Sequence, residues 1–218
     1  MSGRIRRLLR TVPMGAVDLG QVPALAAAGE TPVVDGLSPA RWLTQRLLAE
    51  RLAGLTPERC RVVGPGRLVA DDTLPFAVAQ QPLPAGNGGA AEGFGNLDCL
   101  VVGDALAAED DPPAWLGRLV AGLGPGTQRL LVVLPGTALM PDDAASCPRR
   151  WLFSDASGVA MARQVFGERP ATVRTFGNAL AASSELLGLA ADRLWPDELA
   201  ADDPQYPLVV AIEARLGR

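Results

Sequence analysis

Leu97-Asp98-Cys99-Leu100-Val101-Val102-Gly103-Asp104 opens the stretch that decides the fold, and Leu130-Leu131-Val132-Val133-Leu134-Pro135 closes it. Between them lie a segment of helical character and the turn Gly122-Leu123-Gly124-Pro125-Gly126. Both apolar runs are near-continuous rather than alternating, the pattern of parallel strands covered on both faces. Strand, crossover helix, glycine-proline turn and strand make one unit of a doubly wound α/β sheet. Ligands of such folds sit beyond the carboxyl ends of the strands, so the Gly103-Asp104 loop is expected to face the site.

Upstream, Ser38-Pro39 reads as a helix start, a serine cap followed by proline at the first helical position. Trp42, Leu43, Leu47, Leu48 and Leu52 follow at helical spacing, and Gly54 closes the helix. Trp42 reads as core, with a lid over a ligand as the other reading. Arg61-Val62-Val63 is the first strand and Gly64-Pro65-Gly66 its turn, where glycine lets backbone approach a ligand closely. A second strand is expected over Leu74 to Val78, with Gln80-Gln81 just after it. Pro82 to Gly95 is read as a loop.

Downstream, Asp110-Asp111-Pro112-Pro113 is the capped start of the crossover helix, and Pro141 to Pro148 is a loop. Ser154 caps a helix from Asp155 to Phe166. Thr172 to Phe176 is a strand, and Gly177-Asn178 turns into a helix from Ala179 to Leu187. Leu208 to Ala214 is a last strand that fills a slot in the sheet. Residues 1–35 form an arm carrying the basic cluster Arg4, Arg6, Arg7 and Arg10, read as a solvated tail; residues 36–218 form a single domain.

Composition narrows the chemistry. A chain of 218 residues with 48% apolar content can bury one core plus a short extension. All 20 basic residues are arginine, with no lysine and no histidine. That excludes Ser-His-Asp and Cys-His catalysis, histidine metal ligands and lysine Schiff bases. A net charge of -4 argues against a nucleic-acid partner. No apolar run reaches membrane-spanning length, so no membrane partner and a cytoplasmic location are expected. Cys60, Cys99 and Cys147 lack metal-ligand spacing and read as buried thiols; no metal site is expected.

The order helix, strand, glycine turn, strand, then Leu97-Asp98-Cys99-Leu100 and Gly122-Leu123-Gly124-Pro125-Gly126, resembles the class I S-adenosylmethionine-dependent methyltransferase superfamily. Trp151-Leu152-Phe153-Ser154, Phe166-Gly167, Thr175-Phe176-Gly177-Asn178-Ala179-Leu180 and Asp202-Asp203-Pro204-Gln205-Tyr206-Pro207 are similar to its bacterial methyltransferase type 11-like branch, as is Gly36-Leu37-Ser38-Pro39-Ala40-Arg41-Trp42.

The resemblance implies a Rossmann-like, doubly wound, mostly parallel sheet with an antiparallel C-terminal strand. It implies S-adenosylmethionine as cofactor, held at Gly64, Gly66, Gln80 and Gly103, and Asp104 as the catalytic base. Helix capping is the other reading of Asp104. A small-molecule substrate, a sugar or natural-product intermediate, is implied, as is a homodimer or a heteromeric protein partner. Arg149 and Arg150 are candidates for holding an anionic substrate, and Tyr206 for covering the cofactor pocket, with solvation and packing as the respective alternatives.

Three positions depart from that pattern. Val62 stands where the superfamily carries an acid before its first glycine, Gln80 where an acid grips the ribose, and Gln45 where the first helix often has an acid. Two functions therefore remain open: a small-molecule methyltransferase, or a methyltransferase-like protein without methyl transfer that serves as a partner, scaffold or binding protein.

Overall fold

A computed structural model describes residues 36–56, 59–63, 79–81, 97–103, 105–138 and 149–217. The expectations for the 1–35 arm, Gly64-Pro65-Gly66, Leu74 to Val78, the Pro82–Gly95 loop, Asp104 and the Pro141–Pro148 loop with Cys147 lie outside those residues. The elements in chain order are α1 (Pro39–Leu52), β1 (Cys60–Val63), β2 (Ala79–Gln81), β3 (Cys99–Val102), α2 (Ala105–Ala108), α3 (Pro112–Gly122) and β4 (Arg129–Pro135). They continue with α4 (Asp155–Phe166), β5 (Ala171–Phe176), α5 (Ala179–Leu186), a 3-10 turn (Ala191–Arg193), α6 (Pro196–Ala200) and β6 (Val209–Arg215).

The apolar strand runs divide by alternation between two cores. Cys60, Val62, Cys99, Val101, Leu131, Val133, Val209 and Ala211 pack with Trp42, Leu47, Leu48 and Ala181 on the α1, α5 and α6 side. Val63, Leu100, Val102, Leu130, Val132, Leu134, Val210 and Ile212 pack with Leu116, Leu119, Met161 and Phe166 on the other. Both faces are covered by helices, which is why no polar residue interrupts the runs. The result is a three-layer α/β/α domain.

The sheet has six strands in the order β2-β1-β3-β4-β6-β5. β1 pairs in parallel with β2 and with β3, and β3 in parallel with β4. β6 is antiparallel to both neighbours, with Arg129↔Arg215 to Pro135↔Val209 on one side and Ala171↔Ala214 to Phe176↔Val209 on the other. The final strand fills an internal slot, as expected from its position in the chain.

Local signals set most boundaries. The Ser38 side chain accepts from the Arg41 backbone N–H, Asp111 from Ala114, and Ser154 from Ser157 in a reciprocal capping box. Gly54 has φ +77°, a conformation open to glycine and costly for most residues. One boundary differs from expectation: Gln80 lies inside β2 rather than after the strand, because pairing with β1 (Val62↔Gln80) places it there. Packing also supplies a cap invisible locally, since the Glu185 carboxylate on α5 accepts from the Ala40 N–H at 2.9 Å, at the positive end of α1.

Candidate functional site at the carboxyl edge of the sheet

The order in which successive strands are laid down reverses at β1, while the strands themselves stay parallel. The connection from β1 leads to β2 on one side, and the return from β2 leads to β3 on the other. This is a topological switch point, and the crevice outside the carboxyl ends of β1 and β3 is where such a sheet takes a ligand. Gly103 follows β3 there and is buried. Its N–H donates to the Val63 carbonyl at 2.9 Å, tying the two strand ends together. Gln80 lies on the neighbouring strand with its backbone opposite Val62. The structure therefore sets Gly103 just past the end of β3 and Gln80 on β2, the two strands that flank β1. Gly64, Gly66 and Asp104 lie outside the described residues.

Val62 is 2% exposed and belongs to the apolar cluster with Trp42, Val101 and Leu131. The position at which the resemblance calls for a carboxylate is thus part of the core. Gln45, on α1, is likewise buried. Trp42 packs as core.

The other half of the edge, above β4, β6 and β5, is closed by hydrogen bonds. Gly136 N–H donates to the Leu208 carbonyl at 2.8 Å and Thr137 N–H to Pro207 at 2.7 Å. The approach is so close that a Cβ on Gly136 would lie 2.3 Å from the Pro207 carbonyl oxygen. A Cβ on Gly177, at φ +119°, would meet the Leu208 side chain at 2.5 Å and its backbone nitrogen at 3.0 Å. Asn178 is buried and fully used: its side-chain amide donates to the Glu198 and Ala201 carbonyls at 2.6 and 2.7 Å. Its oxygen accepts from Leu180 and Ala181 N–H, both at 3.0 Å, capping α5. Asp202 accepts from Gly177 N–H at 3.1 Å, and Asp203 N–H donates to the Gly177 carbonyl at 2.7 Å. Two C-terminal motifs quoted separately from the sequence are therefore one hydrogen-bonded corner. The turn into a helix at Gly177-Asn178 was legible from the sequence; the cap that Asn178 supplies and its long-range bonds come from the structure.

Several candidates have structural employment. Asp98, before β3, bonds Arg59 at 2.9 Å at the opposite edge of the sheet from the crevice. Arg150 pairs with Asp110, and the Arg150 and Trp151 N–H groups both donate to the Ala107 carbonyl. Trp151 Nε1–H donates to the Glu109 carbonyl at 2.7 Å, so this segment clamps the α2–α3 link. Tyr206 is 45% exposed, which overturns the packing alternative. Among the described residues no group of three or more Cys, Asp or Glu is placed to hold a metal ion. No helix among them is long and apolar enough to cross a membrane.

Cys60 and Cys99 are buried free thiols, as expected, and stand opposite each other on β1 and β3. Burial pushes the Cys99 thiol up to about 12, and the neighbouring Cys60 adds to the shift. Burial raises Cys60 as well, against the lowering pull of the Arg129 guanidinium. These thiols stay protonated and are poor nucleophiles.

Parallel β2, β1, β3, β4 and β5 with antiparallel β6 inserted between the last two make a class I methyltransferase-like, Rossmann-like fold. No protein-family model matches the sequence, and no curated protein matches it. Among solved structures, the chain is similar to the plantazolicin methyltransferase BpumL bound to a triazolic desmethylPZN analog and SAH. That match has 12% identity, covers 83% of this chain and 86% of that one, and has a TM-score of 0.45. A SAM-dependent methyltransferase from Thermotoga maritima matches with 15% identity, 82% and 91% coverage and a TM-score of 0.43. A Haemonchus contortus phosphoethanolamine N-methyltransferase bound to S-adenosylhomocysteine matches at 11% identity and a TM-score of 0.46, covering 84% of this chain and 55% of that one. At these scores the fold class rests on strand order and register.

Proposed function

We propose that the crevice between β1 and β3 binds S-adenosylmethionine and that the chain transfers its methyl group to a small molecule, a sugar or natural-product intermediate. The observation that supports this reading is the switch point itself: Gly103 ends β3 against Val63, and Gln80 lies on the adjoining strand. Gly64, Gly66 and Gly103 would let backbone approach the cofactor, and Gln80 would hydrogen-bond its ribose. The cofactor supplies an electrophilic methyl; alignment and exclusion of water are the protein's tasks. Asp104, next after Gly103, would take a proton from the acceptor. We also propose that residues 36–218 act as one domain, with residues 1–35 as an appended arm.

A second reading, binding or scaffolding without methyl transfer, is favoured by Val62. Its side chain is apolar and buried where a carboxylate would otherwise assist binding. A charge-assisted bond contributes on the order of 1–3 kcal/mol, so two neutral replacements, Val62 and Gln80, weaken binding by roughly a hundredfold.

Calorimetric titration with S-adenosylmethionine and S-adenosylhomocysteine separates the readings. The methyltransferase reading requires saturable binding, and Gln80→Glu should tighten it about tenfold or more. Silence at millimolar ligand in both proteins rejects it and leaves the second. Val62→Glu is the wrong repair because it would bury a carboxylate in the α1-side core.

A further inference from the structure

At the opposite edge of the sheet from the crevice lies a cavity of ≈ 200 Å³, lined by Arg51, Arg129, Arg215, Glu213, Thr172 and Cys99 among others. We propose that this cavity is an anion site that takes a phosphate group.

Its charges are unbalanced. Arg51 Nε bonds Glu213 Oε1 at 2.5 Å, which uses the one carboxylate of the lining. Arg129 and Arg215 are direct cross-strand partners on β4 and β6. Both belong to the α1 side of the sheet, because Leu131 and Val133 on one strand and Val209 and Ala211 on the other pack there at the same alternation. Both are exposed. No ion pair joins either to a carboxylate among the described residues. Like charges placed directly opposite on a sheet repel, so the pair costs stability unless an anion lies between them.

The donors suit phosphate in particular. Two uncompensated guanidiniums match the charge of a phosphate near neutral pH, and each presents a planar fork that binds two oxygens at once. The Thr172 hydroxyl, opposite Glu213 on β5, adds a donor that can rotate toward an oxyanion. The lining also includes the buried Cys99 thiol, which burial keeps protonated so that it adds no competing negative charge.

Phosphate reaches such a site as the free ion or as the end of a phosphomonoester, and titration distinguishes them. The full chain is titrated with inorganic phosphate and with glycerol phosphate by calorimetry and thermal melting, with sodium chloride holding ionic strength constant. Saturable binding is expected, with a rise in Tm that follows the same isotherm. A phosphomonoester binding tenfold tighter assigns the site to a phosphorylated metabolite; equal or weaker binding assigns it to free phosphate. Arg129→Gln and Arg215→Gln should each weaken binding at least tenfold, while neither lowers Tm without phosphate, because each removes a repelling neighbour. A rise in Tm that never saturates and is equal in wild type and both variants is a general salt effect and overturns the proposal. So does the absence of binding at millimolar concentrations of both ligands.

Discussion

The Cys99 thiol provides a sharp test of how burial shapes this protein's stability. Its pKa is pushed up from 9.0 to about 12 by desolvation. The folded state therefore keeps a proton that the unfolded state releases above its own pKa. The stabilisation is fully present below about pH 9 and is lost as pH rises towards about 12. Linkage gives a loss of roughly 2–3 kcal/mol for this one thiol between about pH 8 and about pH 11. That is a large share of a domain stability of about 5–15 kcal/mol. Lysine and histidine add nothing to the alkaline limb because the chain has neither, and arginine stays charged throughout the range; the Cys60 thiol, also raised by burial, is present in parent and variant alike. Urea unfolding followed by tryptophan fluorescence, in a Cys147→Ala background, measures stability across that range. Cys99→Ala should cost about 1 kcal/mol for the lost packing at neutral pH, yet lose roughly 2–3 kcal/mol less than its parent on going to about pH 11. Equal alkaline losses in parent and variant would refute burial as the cause of the shift.

Two further outcomes follow from the closed half of the carboxyl edge. Gly136→Ala forces a Cβ to within 2.3 Å of the Pro207 carbonyl oxygen, and since both sides of the clash are backbone it should cost about 2 kcal/mol or more, seen as a lowered Tm; an unchanged Tm contradicts the close approach. Asn178→Ala removes both side-chain donors from the Glu198 and Ala201 carbonyls and uncaps α5, for a loss of about 2–4 kcal/mol. Hydrogen exchange should accelerate first at Leu180 and Ala181, and uniform protection there would show that the cap is not what orders the turn.

Most of the architecture was legible because its signals are local. The runs Cys99–Val102 and Leu130–Pro135 are apolar at every position, and only a strand covered on both faces requires that. Ser38, Asp111, Ser154 and Asn178 each precede a helix and supply the side-chain oxygen its first turn lacks. Gln80 was placed just after the second strand rather than in it, since Ala79-Gln80-Gln81 carries no apolar pattern and is a strand only by virtue of β1 beside it. Resemblance identified Val62 as a missing acid. Its place in the α1-side core, which makes an acid there costly, emerged only from packing.

Sequence alone was enough for the α/β class, the parallel centre, a last strand in the sheet and the absence of histidine and lysine chemistry, while the antiparallel direction of that strand was implied by resemblance and shown by its pairing. Periodicity, capping and composition act over a few residues or none, so a linear reading captures them. Tertiary structure decided which distant groups meet. It set Cys60 beside Cys99, brought Gly177 to Asp202, lodged Glu185 at the start of α1 and gathered Arg51, Arg129 and Arg215 at one edge. Those meetings depend on strand register and on helix docking across long loops, where shifting a strand by one residue turns every side chain to the other face.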